Sequence, residues 1–139
     1  MKRMMIWVAI LAALASCQSG PDQRTPLPPL PEKISPMPYA RLLERARSLS
    51  KQATEAFYVD NWGDLEEAAR GLEQTAQYLI KAEDVPGKHR DTLSTMSADL
   101  GKLSKELREA AVAKDVKKTT DILTKIQVQV REMRLSEGV

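Results

Sequence analysis

The sequence predicts an all-α domain, an antiparallel up-down-up-down four-helix bundle, preceded by an apolar N-terminal segment and a proline-rich linker. Three observations carry that prediction. Behind residue 38, four stretches place apolar side chains at alternating steps of three and four, the spacing of one helix face. Aromatic residues make up only 4% of the chain, while Ala, Leu and charged residues dominate, a mixture that suits helices meeting along seams. All but one of the 8 prolines fall between Pro21 and Pro38, so the region expected to be helical is almost free of helix breakers.

The chain opens with a short positive stretch, Met1-Lys2-Arg3, followed by an apolar run from Met4 to Leu14. A run of about 11 apolar residues is too short to cross roughly 30 Å of hydrocarbon as a permanent helix. Small residues Ala15 and Ser16 follow, then Cys17. Leu14-Ala15-Ser16-Cys17 resembles the lipobox of bacterial lipoproteins: an aliphatic residue, two small ones and a thiol. The resemblance implies that residues 1–16 are a signal peptide removed before Cys17. It further implies a thioether-linked diacylglycerol on Cys17 and N-acylation with a palmitate-type chain. Two or three acyl chains, at about 0.8 kcal/mol per buried methylene, would hold a small domain on a membrane essentially permanently. The expected location is the cell membrane, lipid-anchored on the periplasmic side. Gln18-Ser19 lack the Asp by which Gram-negative bacteria retain lipoproteins in the inner membrane, so the outer membrane is favoured in such an organism. Cys17 is the chain's one cysteine. With its thiol in that linkage no intrachain disulfide forms, and stability must come from the core.

Residues 17–37 read as the lipidated Cys and a proline-rich tether. Thr25-Pro26-Leu27-Pro28-Pro29-Leu30-Pro31 can be neither helix nor central strand, because proline supplies no backbone donor. Such a segment favours extended polyproline II, a semi-rigid spacer of about 3.1 Å per residue. It is expected to act as a stalk that lifts the domain off the bilayer; the alternative is a proline-rich ligand for a partner's aromatic groove.

The bundle is expected over residues 38–139. Its first helix opens at Ser35-Pro36, with the stripe Tyr39, Leu42, Ala46, Leu49, Ala53 and Ala56. The second opens at Asp60-Asn61-Trp62, with Asp64 placed to complete a cap, and carries Trp62, Leu65, Ala69, Leu72, Ala76 and Leu79. The third begins near Pro86-Gly87 and carries Leu93, Met96, Leu100, Leu103, Leu107 and Ala110. The fourth follows Asp115 with Val116, Thr119, Leu123, Ile126, Val130 and Met133. Each stripe keeps a seven-residue repeat for about three heptads, which suits shallow-angle packing against neighbours. Short connections between helices of similar length favour antiparallel neighbours. Ala-rich seams on the first two helices face Leu, Ile, Val and Met on the last two. That contrast either fills the core tightly or leaves room at Ala46, Ala53, Ala69 and Ala76 for a ligand. Gly71 and Gly101, beside the stripes, read as tolerated surface glycines, with a close helix or partner contact as the alternative.

Composition narrows the chemistry. The chain has 21 Lys+Arg and 19 Asp+Glu. Loss of Lys2 and Arg3 with the signal peptide leaves 19 of each, so the mature protein is formally neutral. Nucleic acid is therefore not an expected partner, since its binding draws on an excess of Lys/Arg. One Cys and one His cannot make a structural zinc site, and a single His cannot build a di-iron bundle site. No Ser-His-Asp set or Gly-rich phosphate loop is present. Glu66, Glu67, Glu73, Glu106 and Glu109 read as solvated ion-pair partners of nearby Lys and Arg.

Asn61-Trp62-Gly63-Asp64-Leu65, the stripe from Ala69 to Leu79, and Ala110 to Asp115 with Leu123, Ile126 and Arg131 resemble the cytochrome c-prime group of four-helix bundles. In that group the last helix carries Cys-x-x-Cys-His before a basic residue. Here the comparable stretch is Ile126-Gln127-Val128-Gln129-Val130-Arg131, so covalent haem does not carry over. His89 is expected to be a partly exposed residue at a loop–helix junction, and Met96 and Met133 to be gap-filling core residues. The functional expectation is a membrane-anchored periplasmic lipoprotein. Its bundle is a non-catalytic interaction or structural module, without enzyme activity or cofactor, and with an envelope protein as partner. The alternative is a cytochrome c-prime-like bundle that holds haem or another small ligand.

Overall fold

The computed structural model describes residues 27–33 and 35–134. The expected signal peptide, Cys17 and the first half of the tether lie outside the described residues. The domain is all-α, with four long helices and one single turn; no strand occurs among the described residues.

The first helix, α1 (Tyr39–Tyr58), starts later than Ser35-Pro36. Pro38 is its N-cap residue, with no side-chain cap. A proline at 38 pushes the preceding residue away from helical dihedrals, which delays the start. The entry is held from outside instead. Tyr39 N donates to Glu83 O at 2.8 Å, and Glu83 N donates to Met37 O at 2.9 Å, an isolated parallel bridge at Pro38 and Glu83. All six stripe residues of α1 are buried, and Leu43 and Ser50 widen the buried arc.

Asp60, at φ 55°, ends α1 in a Schellman turn: Asn61 N donates to Ala56 O and Asp60 N to Phe57 O. The next residue already caps the following helix, α2 (Trp62–Leu79). Asn61 Oδ1 accepts from Asp64 N at 3.1 Å, and Asn61 Nδ2 donates to Asp64 Oδ2 at 2.6 Å. Trp62 lies half-buried rather than in the seam, its ring edge-on to Phe57 at 5.8 Å. Besides Leu65, Ala69, Leu72, Ala76 and Leu79, α2 buries Ala68, Thr75 and Tyr78.

The expected third helix divides in two. A single turn, α3 (Gly87–Arg90), is separated by Asp91-Thr92 from α4 (Leu93–Ala113). Asp and Thr compete locally for backbone groups and are poor helix formers; Thr92 Oγ1 reaches back to His89 O at 3.4 Å. The break frees α3 to turn His89 under the start of α1. Between α4 and α5 (Val116–Glu132) the Schellman arrangement recurs, with Lys114 at φ 53°, Asp115 N on Ala110 O and Lys114 N on Ala111 O. Asp115 Oδ1 then caps α5 by accepting from Lys118 N at 2.9 Å. Thr119, Leu123, Ile126, Val130 and Met133 are buried as expected, whereas Val116 is exposed.

The contacts form a ring: α1 on α2, α2 on α4, α4 on α5 and α5 back on α1, with the α2–α4 seam the most extensive. Small residues set two of these distances. A Cβ on Gly71 would meet Leu49 Cδ2 at 3.0 Å, so Gly71 is a close-approach position between α1 and α2, not a tolerated surface glycine. On the α2–α4 seam, Ser97 Oγ donates to Ala76 O, and Gly101 lies over Ala76 Cβ.

Candidate functional site: a groove over the first two helices

An open groove of about 1340 Å³ runs along the outer surface of α1 and α2. Leu49, Ala56, Ala68 and Gly71 contribute to its apolar lining, and Glu55, Asp64 and Glu67 add carboxylates towards the α1–α2 turn. A smaller groove of about 480 Å³ lies between α4 and α5 at Leu103 and Val128. Ala46, Ala53, Ala69 and Ala76, the positions at which the sequence left room for a ligand, line neither.

Part of the groove wall comes from the proline-rich segment. Leu27 and Leu30 pack half-buried against the core, and Leu27, Pro28 and Pro29 line the groove. Four side-chain contacts hold the backbone of this segment. The Gln74 amide engages Leu30 on both sides, Oε1 accepting from Leu30 N at 2.8 Å and Nε2 donating to Leu30 O at 2.7 Å. Tyr78 Oη donates to Pro31 O at 2.6 Å, and Arg45 Nη2 donates to Pro28 O at 2.8 Å. Burial lowers the Arg45 pKa, which the neighbouring Tyr78 partly restores. Gln74 and Tyr78 stand four residues apart and so share one face of α2. The proline-rich stretch expected to be a free stalk is thus docked on the domain from Leu27 to Pro31.

Charge around the groove is largely paired. Arg70 bridges Glu66 at 3.0 Å and Glu67 at 3.1 Å, and Arg108 reaches from α4 to Glu73 at 3.4 Å. Such surface pairs are worth about 0–1 kcal/mol each and chiefly hold the rim in shape. No family model, curated protein or solved structure matches this chain.

At the opposite end of α1 lies the chain's one histidine. The residue is 8% exposed and so buried, contrary to the expectation of a partly exposed side chain. The imidazole stacks on Tyr39 with centroids 5.7 Å apart, and Nε2 lies 2.7 Å from Arg134 O, to which it donates. That nitrogen is therefore committed to a carbonyl. Met133 is fully buried and Met96 nearly so, with Thr92 Oγ1 3.5 Å from the Met96 sulfur. Among the described residues no group of three or more His, Cys, Asp or Glu could hold a metal ion, and no helix is long and apolar enough to cross a membrane.

Sequence reasoning did not single out Gln74, Tyr78 or Arg45. A signal was present: Ala68, Gly71, Thr75 and Tyr78 form a second three-four-three row beside the first stripe of α2. A helix with two such rows is covered on more than one side.

Proposed function

We propose that this protein is a lipid-anchored, periplasmic-facing envelope protein whose helical domain is a non-catalytic binding module. Cys17 is the anchor, and the groove over α1 and α2 is the contact surface. The observation that carries the reading is the Gln74–Leu30 pair with its neighbours Tyr78 and Arg45, a set of side chains aimed at the backbone of an extended chain. Side chains that bind backbone groups along an apolar channel recognise polypeptide rather than a small substrate. We further propose that the four long helices run up-down-up-down and antiparallel, with α3 as part of the second connection. The ring of neighbouring contacts and the tight turns at Asp60-Asn61 and Lys114-Asp115 support this arrangement.

The test of the anchor is fractionation of a Gram-negative host expressing the full chain. The wild type is expected in the membrane fraction, released only by detergent, with its intact mass raised by acyl groups from Cys17 onward. Cys17→Ala is expected to lose that mass. A wild-type protein that is soluble and unmodified would overturn the reading.

A further inference from the structure

The docked segment does more than cover a surface. Its sequence, Leu27-Pro28-Pro29-Leu30-Pro31, offers few backbone donors, because three of its five residues are proline. The surface beneath matches that poverty. Tyr78 and Arg45 donate to the carbonyls of Pro31 and Pro28, and the one acceptor aimed at the backbone, Gln74 Oε1, meets the donor of Leu30. Leu27 and Leu30, three residues apart as in one turn of polyproline II, both pack onto the apolar core. Beside Leu27, Pro28 and Pro29 an open groove runs on towards Val59 and Asp64, so the apolar surface extends beyond the docked segment.

We propose that the α1–α2 face is a recognition site for an extended proline-rich strand of the Leu-Pro-Pro-Leu-Pro type. The chain's own segment occupies it in cis, and a partner's strand of the same chemistry displaces that segment. Exchange would change the reach of the domain. About ten residues separate Cys17 from Leu27, a span of at most about 35 Å when extended. Tyr78 Oη also lies 3.3 Å from Lys33 O; with Leu27–Lys33 released, the next backbone hydrogen bond to the domain among the described residues is at Met37. The stretch between Cys17 and the domain's next hold then grows to about twenty residues, or at most about 70 Å. A partner strand that takes the site thereby lets the domain move further from its membrane. The recognition site rests on the binding-module reading above, and the change in reach on the Cys17 anchor as well.

The experiment uses the unlipidated mature chain, residues 17–139, in solution. Trp62 is its one tryptophan once Trp7 has left with the signal peptide, and Cys17 is its one thiol, open to a fluorescent acceptor. Energy transfer from Trp62 to the acceptor reads whether the tether is held. Leu30→Pro removes the N–H that Gln74 accepts, together with the side chain that packs on the core surface. It lies outside every helix, so it tests docking while leaving every core residue of the helices in place. Transfer is expected to fall in Leu30→Pro and in Gln74→Ala, with helix content unchanged. A synthetic peptide of residues 27–33 is expected to lower the transfer of the wild type saturably. It should bind Leu30→Pro at least about tenfold more tightly, since a tethered competitor acts at effective concentrations in the millimolar range. Equal transfer in all three proteins, or no saturable peptide effect up to millimolar concentration, would overturn the proposal. Neither result depends on lipid, so failure here leaves the Cys17 reading standing. Failure of the fractionation test would remove only the change in reach.

Discussion

Thr119 occupies a seam position of α5 with no exposed surface, and its hydroxyl has no hydrogen-bond partner among the described residues. A buried hydroxyl without a partner forfeits its hydration, at a cost of about 1–3 kcal/mol. Other buried hydroxyls avoid this cost by bonding within their own helix: Thr75 Oγ1 donates to Gly71 O at 2.8 Å and Ser104 Oγ to Leu100 O at 2.6 Å. Replacing Thr119 by the near-isosteric Val keeps the packing and removes the penalty. Thr119→Val is expected to raise the stability of the domain by about 1 kcal/mol, read as a higher urea midpoint at unchanged m-value. A lower midpoint would mean that the hydroxyl is satisfied in solution. Stripe analysis assigned Thr119 to the core correctly, but spacing alone carries no information on whether its hydroxyl finds an acceptor there.

Among the elements, the two Schellman turns show how local chemistry ends one helix and starts the next. In each, a residue with positive φ (Asp60 or Lys114) ends one helix, and the next (Asn61 or Asp115) caps the following one. The caps were legible in the sequence because Asn and Asp accept from a first-turn N–H in any context. The positive φ at Lys114 was not, since lysine has no local preference for it and glycine would have been the usual choice. Lys114→Gly relieves that conformation, offset in part by a looser unfolded chain. The substitution is expected to stabilise the domain by about 0.5–1 kcal/mol in thermal unfolding, whereas Lys114→Val should destabilise it. Gly71 and the break at Asp91-Thr92 belong to the same scale. Both were visible as residues, but their roles come from Leu49 on α1 and from the His89 contacts.

Across the whole molecule, the end of α5 is tied to the start of α1. Tyr39 Oη donates to Met133 O at 2.8 Å, and His89, stacked on Tyr39, reaches Arg134 O beside it. Burial pushes the Tyr39 phenol from 10.0 up to about 12, against the opposing pull of Arg47. The folded protein thus favours the protonated phenol. Its contribution is complete below about pH 10, where tyrosine in the unfolded chain starts to ionise, and is lost as pH rises through about 12. The loss is on the order of 2–3 kcal/mol over that window. Wild-type stability is expected to fall across it in denaturant titrations, while Tyr39→Phe, weaker at neutral pH by about 1–2 kcal/mol, should show a shallower decline. Parallel pH curves for the two proteins would refute the assignment.

The sequence by itself determined the all-α class, the approximate extents of the long helices, the face each one buries and the caps at Asn61 and Asp115. These depend on side-chain spacing and on hydrogen bonds within a few residues, which the chain carries wherever it folds. Tertiary structure alone decided that Leu27–Pro31 lies on α1 and α2, that α2 is covered on two sides, that Gly71 admits Leu49 and that His89 is buried. A stripe says that a face is apolar but not which element will cover it. A proline-rich segment with no internal hydrogen bonds takes its place only when another surface supplies the donors and acceptors that its own backbone lacks.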